Sequence, residues 1–370
     1  MSGKLKQIQG IRALAILGIF IAHTSLWLGD DLGWFAPIPE RLGGSGVVTF
    51  LMLSGFLLSY KGKVVPTLDL RDLIRSAWGK VSKMYGLYVI TILLYIVVVK
   101  NPSTIKGWIQ MLLCLPFHLT LTQDFVPIDW LTQAFNGPAW FLSALFGVWM
   151  MAYICHNTIN KLMTLSAGKC VAIILVILIT QITWLLLVNN TLLPILSKNH
   201  CLMWGYKWLR YGNPVLCFSE FCVGILLGRI CVCKQFPTYI QNIFAIAALC
   251  LVMVFMAMIS MRVPFRNSWI VIIECIVLVG IIAVMSPDSI GYKILAMPPL
   301  VWFGNISAYV FLLHAPAILC VVATCEKYLP KPWPFIAMLL LCIVSSACAD
   351  YYYKWRDTKQ NNVKRKCQNL

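Results

Sequence analysis

The chain has 370 residues, 60% of them hydrophobic and only 12% charged, with a mean hydropathy of +0.81. So much apolar surface excludes a soluble globular domain, and several runs reach the roughly 20 residues needed to cross a bilayer core. The formal charge of +17 does not point to nucleic acid, since no basic domain stands apart from the apolar runs.

Hydropathy predicts an all-α, polytopic membrane bundle of about ten spans: 9–28, 46–60, 84–99, 138–155, 170–188, 212–230, 243–260, 268–285, 299–323 and 333–353. The first span opens on Arg12 and holds His23 well inside it. Ionisable side chains are costly in hydrocarbon, so each needs a reason to be there. The two lie about 16 Å apart along a helix, and their angular offset of about 20° beyond three full turns puts both on one face.

The second span carries Ser54 in "LSGF", a candidate donor to a developing oxyanion. The stretch 61–83, with Arg71, Arg75, Lys80 and Lys83, reads as a basic interfacial helix leading into span three. In 101–137 an apolar piece is interrupted by Pro116 and His118 and followed by Asp124 and Asp129, so it reads as an outside hairpin or re-entrant segment. Trp140 and Ser143 begin the fourth span, where a tryptophan either stacks on a sugar or anchors the interface.

Farther along, Glu220 and Glu274 are intramembrane carboxylates in need of partners, and Ser307, Tyr309 and His314 share the ninth span. Glu220 falls at a depth similar to His23 and His314, so orienting either ring and a purely structural bond are both open to it. The domain division is 1–353 for the membrane region and 354–370 for a basic tail. With both termini cytoplasmic, inside loops hold basic residues over outside loops by about two to one, as the positive-inside rule expects. Most of the 15 cysteines lie in apolar runs as small hydrophobes. A disulfide is conceivable only among outside residues such as Cys201 and Cys325. The histidines show no metal-ligand spacing, so no metal is expected.

Arginine is always charged and its fork suits phosphate oxygens, whereas a desolvated histidine is held towards the neutral form that accepts a proton. An elongated anionic donor fits this layout, with its phosphates at the inner surface and its reactive end near His23. Acetyl-CoA has that shape. A snorkelling arginine and a structural histidine are the alternatives.

Five blocks extend the reading. "IRALAILGIFIAH" resembles the Arg-x10-His first-helix motif of the acyltransferase 3 family of bacterial membrane O-acyltransferases. "GSGVVTFLMLSGFLLSY", "GKVSKMYGLYVI", "GPAWFLSALFGVWM" and "WFGNISAYVFLLHAPAI" resemble later blocks of that family, in the same order. The resemblance spans about residues 7 to 353. It departs after Ser143, where Ala144, Leu145 and Phe146 stand in place of an acidic residue common in the family.

The resemblance implies that Arg12, Lys80 and Lys83 hold the donor and that His23 is catalytic. Trp140, Ser143, Glu220 and His314 are then candidate substrate contacts. The expected protein is a multi-pass O-acyltransferase of the bacterial cytoplasmic membrane. It would move an acetyl group from acetyl-CoA to a hydroxyl of a surface glycan or its polyprenyl-linked precursor, with His23 as general base. The competing reading is a transporter or flippase of a lipid-linked sugar that uses His23 and Glu220 as a proton relay.

Overall fold

The computed structural model describes residues 5–28, 37–99, 104–192, 194–195, 208–260, 269–324, 328 and 333–368. Cys201 and Cys325 lie outside them. The described chain is helical throughout: α1 (Lys6–Leu28), α2 (Pro37–Tyr60), α3 (Leu70–Leu94), α4 (Ile105–Leu119), α5 (Asp129–Thr132), α6 (Trp140–Ile154), α7 (His156–Leu162), α8 (Ala167–Leu187), α9 (Pro214–Cys233), α10 (Thr238–Ser260), α11 (Trp269–Ala283), α12 (Ile290–Leu295), α13 (Pro298–Thr324) and α14 (Trp333–Gln368).

Among the described residues nine segments are long and apolar enough to cross a bilayer, and α11 is a shorter apolar helix. They account for the ten expected spans, with residues 261–268, just before α11, outside the described set. Two boundaries differ from the sequence reading. The basic stretch before span three is not a separate interfacial helix: α3 runs unbroken from Leu70, because Asp69 caps its first turn by accepting from the Asp72 N–H at 2.7 Å. Likewise α14 continues without a break from its apolar half into the basic tail.

Local chemistry sets the other ends that matter. α2 stops at Gly62, whose φ of 60° is the left-handed conformation glycine adopts without strain. Lys63 N–H then reaches Leu58 O at 3.1 Å and Gly62 N–H reaches Ser59 O at 2.9 Å, which is the Schellman pattern. The following loop is held on α7 from both sides: Asn160 accepts from Val65 N–H at 2.9 Å and donates to Val65 O at 2.8 Å. α9 starts at Asn213, which accepts from Leu216 N–H at 2.9 Å with Pro214 in the first turn.

Six helices close a ring in the order α1, α13, α3, α6, α9, α2 and back to α1. Its tightest walls depend on absent side chains. A Cβ on Gly224 of α9 would fall on the Met52 carbonyl of α2, and one on Gly304 of α13 would fall on the Gln9 carbonyl of α1. The remaining long helices sit outside the ring, α14 against α13 and α8 against α9. α10 buries only 11% of its apolar stretch against protein whereas α2 buries 67%, which marks α10 as peripheral and α2 as interior.

The segment expected as a hairpin is anchored by a buried polar network rather than by apolar packing alone. His118 on α4 donates from Nε2 to Leu131 O at 2.7 Å, so its Nδ1 is the acceptor for the Tyr88 hydroxyl at 3.0 Å. Gln123 donates to the same hydroxyl at 3.3 Å. Burial pushes the His118 imidazole down to about 4, against a smaller opposing effect of the Leu131 carbonyl.

Candidate functional site

A cavity of about 120 Å³ opens inside the ring. Arg12 from α1, Phe50 and Ser54 from α2, Phe141 from α6, and Ser307 and Phe311 from α13 are among its lining residues. Two polar atoms on its walls are buried without a hydrogen-bond partner, Arg12 Nε and Ser307 Oγ. Ser307 is fully buried, so an unsatisfied hydroxyl there carries a real desolvation cost unless a ligand meets it. Ser54 is different: its hydroxyl donates to Phe50 O at 2.8 Å, which leaves no proton for an oxyanion. Ser54 is a candidate donor from the sequence; the unpaired hydroxyl on this cavity is that of Ser307.

Aromatic rings line the way from Arg12 to the histidines. The Arg12 guanidinium lies 5.6 Å from the Phe50 ring centre, a cation–π distance. Phe50 faces Phe141 at 6.3 Å, Phe141 meets Phe311 edge-on at 5.3 Å, and Phe311 lies 6.0 Å from His314. His314 in turn meets His23 edge-on, their ring centres 4.8 Å apart with planes at 61°.

The two imidazoles therefore form one pair across the α1–α13 contact. His23 Nδ1 faces Ile19 O at 2.9 Å, and His314 Nδ1 faces Phe311 O at 2.7 Å and Val310 O at 3.2 Å. A ring nitrogen aimed at a carbonyl must carry the proton, so in each neutral ring Nε2 is the basic nitrogen. His314 is fully buried and its Nε2 has no partner. His23 is half-buried.

The other expected site residues divide. Lys80 and Lys83 are exposed on α3, with the Lys80 ammonium 4.1 Å over the Trp149 ring. Lys83 directly precedes Met84, which lines the cavity. Trp140 is only 4% exposed and has no open face for a sugar; its edge-on contact with Phe141, at 6.3 Å, backs the aromatic wall instead. Ser143 is turned away from the cavity, donating to Leu121 O at 2.7 Å and accepting from Asp124 N–H at 3.2 Å. It fixes a loop in which Leu121 holds a φ of 55°, rare for a side chain of that size.

Glu220 does not reach the histidines. It lies in a separate buried cluster between α8, α9 and α11, within electrostatic reach of Glu274. There Gln181 donates to Glu274 at 3.0 Å and to Ser219 at 2.9 Å. Among the described residues no group of three or more metal-ligating side chains comes together.

Phe50, Phe141, Phe311 and Ser307 carry the cavity walls without having been singled out from the sequence for that role. A usable signal was present on α13, where positions 307, 311 and 314 recur at helical spacing on one face.

Comparison with known proteins follows the same lines. A family model described as an acyltransferase domain matches residues 5–353. Acyltransferase MdmB of Streptomyces mycarofaciens is 24% identical over 235 residues, which cover 61% of this chain and 57% of that protein. No solved structure matches the chain.

Proposed function

The chain belongs to the acyltransferase 3 family, and from that premise we propose that it is a multi-pass O-acyltransferase of the bacterial cytoplasmic membrane. It takes an acetyl group from cytoplasmic acetyl-CoA and transfers it to a hydroxyl of a surface glycan or its polyprenyl-linked precursor. The observation that supports this best is the pair of orphaned donors, Arg12 Nε and Ser307 Oγ, on one cavity whose aromatic wall leads to the His23–His314 pair.

Size decides how a donor of this kind enters. A cavity of about 120 Å³ is too small for a nucleotide and takes only the end of the donor's linear arm. The adenosine and its phosphates therefore stay outside it, and the exposed Lys80 and Lys83 of α3 are the cations proposed to meet them. Arg12 meets the anionic or carbonyl oxygens of the arm as it enters, and Ser307 donates to an oxygen deeper in.

In the transfer itself, His23 Nε2 removes the proton from the acceptor hydroxyl as its oxygen bonds to the thioester carbonyl carbon. The carbon–sulfur bond then breaks, and the imidazolium returns that proton to the departing thiolate. The Ile19 carbonyl, already facing Nδ1, stabilises the charge His23 carries between the two events. His314 Nε2, the acceptor nitrogen of the neighbouring ring, takes a hydrogen bond from an adjacent hydroxyl of the same sugar and so orients the reacting one. General-base assistance of this kind is worth about 10² to 10⁴ in rate.

The relay that a transporter reading needs, His23 with Glu220, has its members in two different clusters. The test of the enzyme reading is to supply labelled acetyl-CoA to the purified protein in vesicles with a mixed glycan acceptor. Free thiol and labelled glycan should appear in equal amounts. Movement of glycan across the vesicle without consumption of thioester would overturn the reading.

A further inference from the structure

A second groove lies outside the ring, between α4 and α5, with a volume of about 330 Å³. Gly107, Gln110 and Met111 form one wall, and Trp130, Gln133 and Ala134 the other. Among the described residues no charged side chain lines it. Gln110 and Gln133 are exposed and Trp130 is half-buried.

Its position follows from the hydrogen bonds that hold the hairpin. Tyr88 and Thr91 of α3 bind His118 and Asn136 respectively, at 3.0 and 3.1 Å. These residues lie about 12–16 Å along α3 from Lys80 and about 7–12 Å from Lys83, so the groove lies towards the C-terminal end of α3. Asn136 also donates to Leu312 O at 2.9 Å, two residues before His314. The α5 wall thus connects within a few residues to the helix that presents the histidine pair. The bond from His118 to Leu131 O ties the two walls to each other, so the groove is preformed.

The lining selects a ligand class. Carboxamides both donate and accept, as hydroxyls do, and Gln110 and Gln133 both line the groove, with no charged side chain among its described lining residues. An indole offers a flat, electron-rich face that attracts the weakly positive C–H bonds on one side of a pyranose ring. A neutral sugar meets all three groups at once, whereas a phosphate or sulfate finds no cation.

We infer that the α4–α5 groove is a carbohydrate subsite that holds a neutral sugar unit through Trp130, Gln110 and Gln133. This inference rests on the proposed transfer to a glycan and deepens it. The groove grips a unit beyond the reacting one, so that the acceptor hydroxyl is presented to the His23–His314 pair from the side opposite the donor.

The test uses the full chain in a detergent without a sugar headgroup, probed with maltotriose, chitotriose and a neutral rhamnan oligosaccharide. At least one should bind, and Trp130→Ala should weaken that binding about tenfold while Trp130→Phe retains most of it. Gln110→Ala and Gln133→Ala, on exposed positions that folding does not need, should each weaken it about threefold. Acetyl-CoA binding, read in the same samples, should not change in any of these variants.

If none of the three sugars binds the wild-type chain, or if the variants bind them as well as it does, the subsite is overturned. Preferential retention of a phosphocholine headgroup would overturn it too. Sugar binding that depends on Trp130 in a protein that does not bind acetyl-CoA supports the subsite and sinks the transfer reading instead.

Discussion

Two pairs of ionisable residues are buried in the spans of this protein, and they are built in opposite ways. His23 and His314 meet between α1 and α13, on the wall of a ring of helices that encloses a cavity. Glu220 and Glu274 lie outside that ring, between α8, α9 and α11, with one amide of Gln181 as the donor to Glu274. His314 keeps an Nε2 without a partner at the end of an aromatic path from Arg12, with the His23 ring edge-on to it. The carboxyls lie with Gln181 and Ser219 in a cluster of their own, one oxygen of each without a partner. An ionisable residue in hydrocarbon shows only that something must satisfy it; what sets the histidines apart is the aromatic path that joins them to the Arg12 cavity.

Four experiments break or sharpen that contrast. His23→Ala should lower acyl transfer by about 10² to 10⁴, measured as labelled glycan per minute, with acetyl-CoA affinity little altered. Glu220→Gln and Glu274→Gln, assayed in parallel, should leave transfer within about twofold, because neither side chain joins the aromatic path from Arg12 to the histidines. If either carboxyl variant falls as far as His23→Ala, the division between the two clusters is wrong.

Acid should act on the hairpin before it acts on the bundle. His118 is neutral in the fold, its pKa pushed down to about 4 from an ordinary 6.5. As pH falls from 6.5 towards 4, the unfolded chain gains a proton that the folded chain does not, so stability drops across that window. The loss at its end is on the order of 3 kcal/mol. Thermal unfolding at pH 7 and pH 4.5 should show it, and His118→Gln should flatten the difference; an equally steep loss in that variant would assign it elsewhere.

A smaller change is expected at Ser307. Removing its hydroxyl in Ser307→Ala should raise KM for acetyl-CoA about fivefold to tenfold, the worth of one buried hydrogen bond. Ser54→Ala should leave KM unaltered, since its proton already belongs to Phe50 O. Reversal of that order would restore Ser54 as the donor.

Much of this was legible in the residues themselves. Apolar run lengths located the spans, though not the early starts of α2 and α3, and helical periodicity put Arg12 and His23 on one face. The direction each helix turns inside the bundle was harder to read. α9 buries residues around its whole circumference, so no periodicity marks which face Glu220 shares. Its alignment with Glu274 emerges only from packing. Trp140 and Ser143 sit where an interfacial sugar site was expected, but the hairpin folds over them, and a half-buried Trp130 lies ten residues earlier in a stretch that hydropathy describes poorly. The start of α3 was hidden by its charges, although Asp69 three residues before Asp72 is an ordinary capping signal.

The central claim is that Arg12 holds the donor and His23 acts at its far end. Calorimetric titration of the purified wild-type, Arg12→Ala and His23→Ala proteins with acetyl-CoA tests it most directly. The account predicts binding to the wild type, a loss of about tenfold to a hundredfold in Arg12→Ala, and near-normal affinity in His23→Ala. Absence of binding by the folded wild type, or equal affinity in wild type and Arg12→Ala, would contradict it.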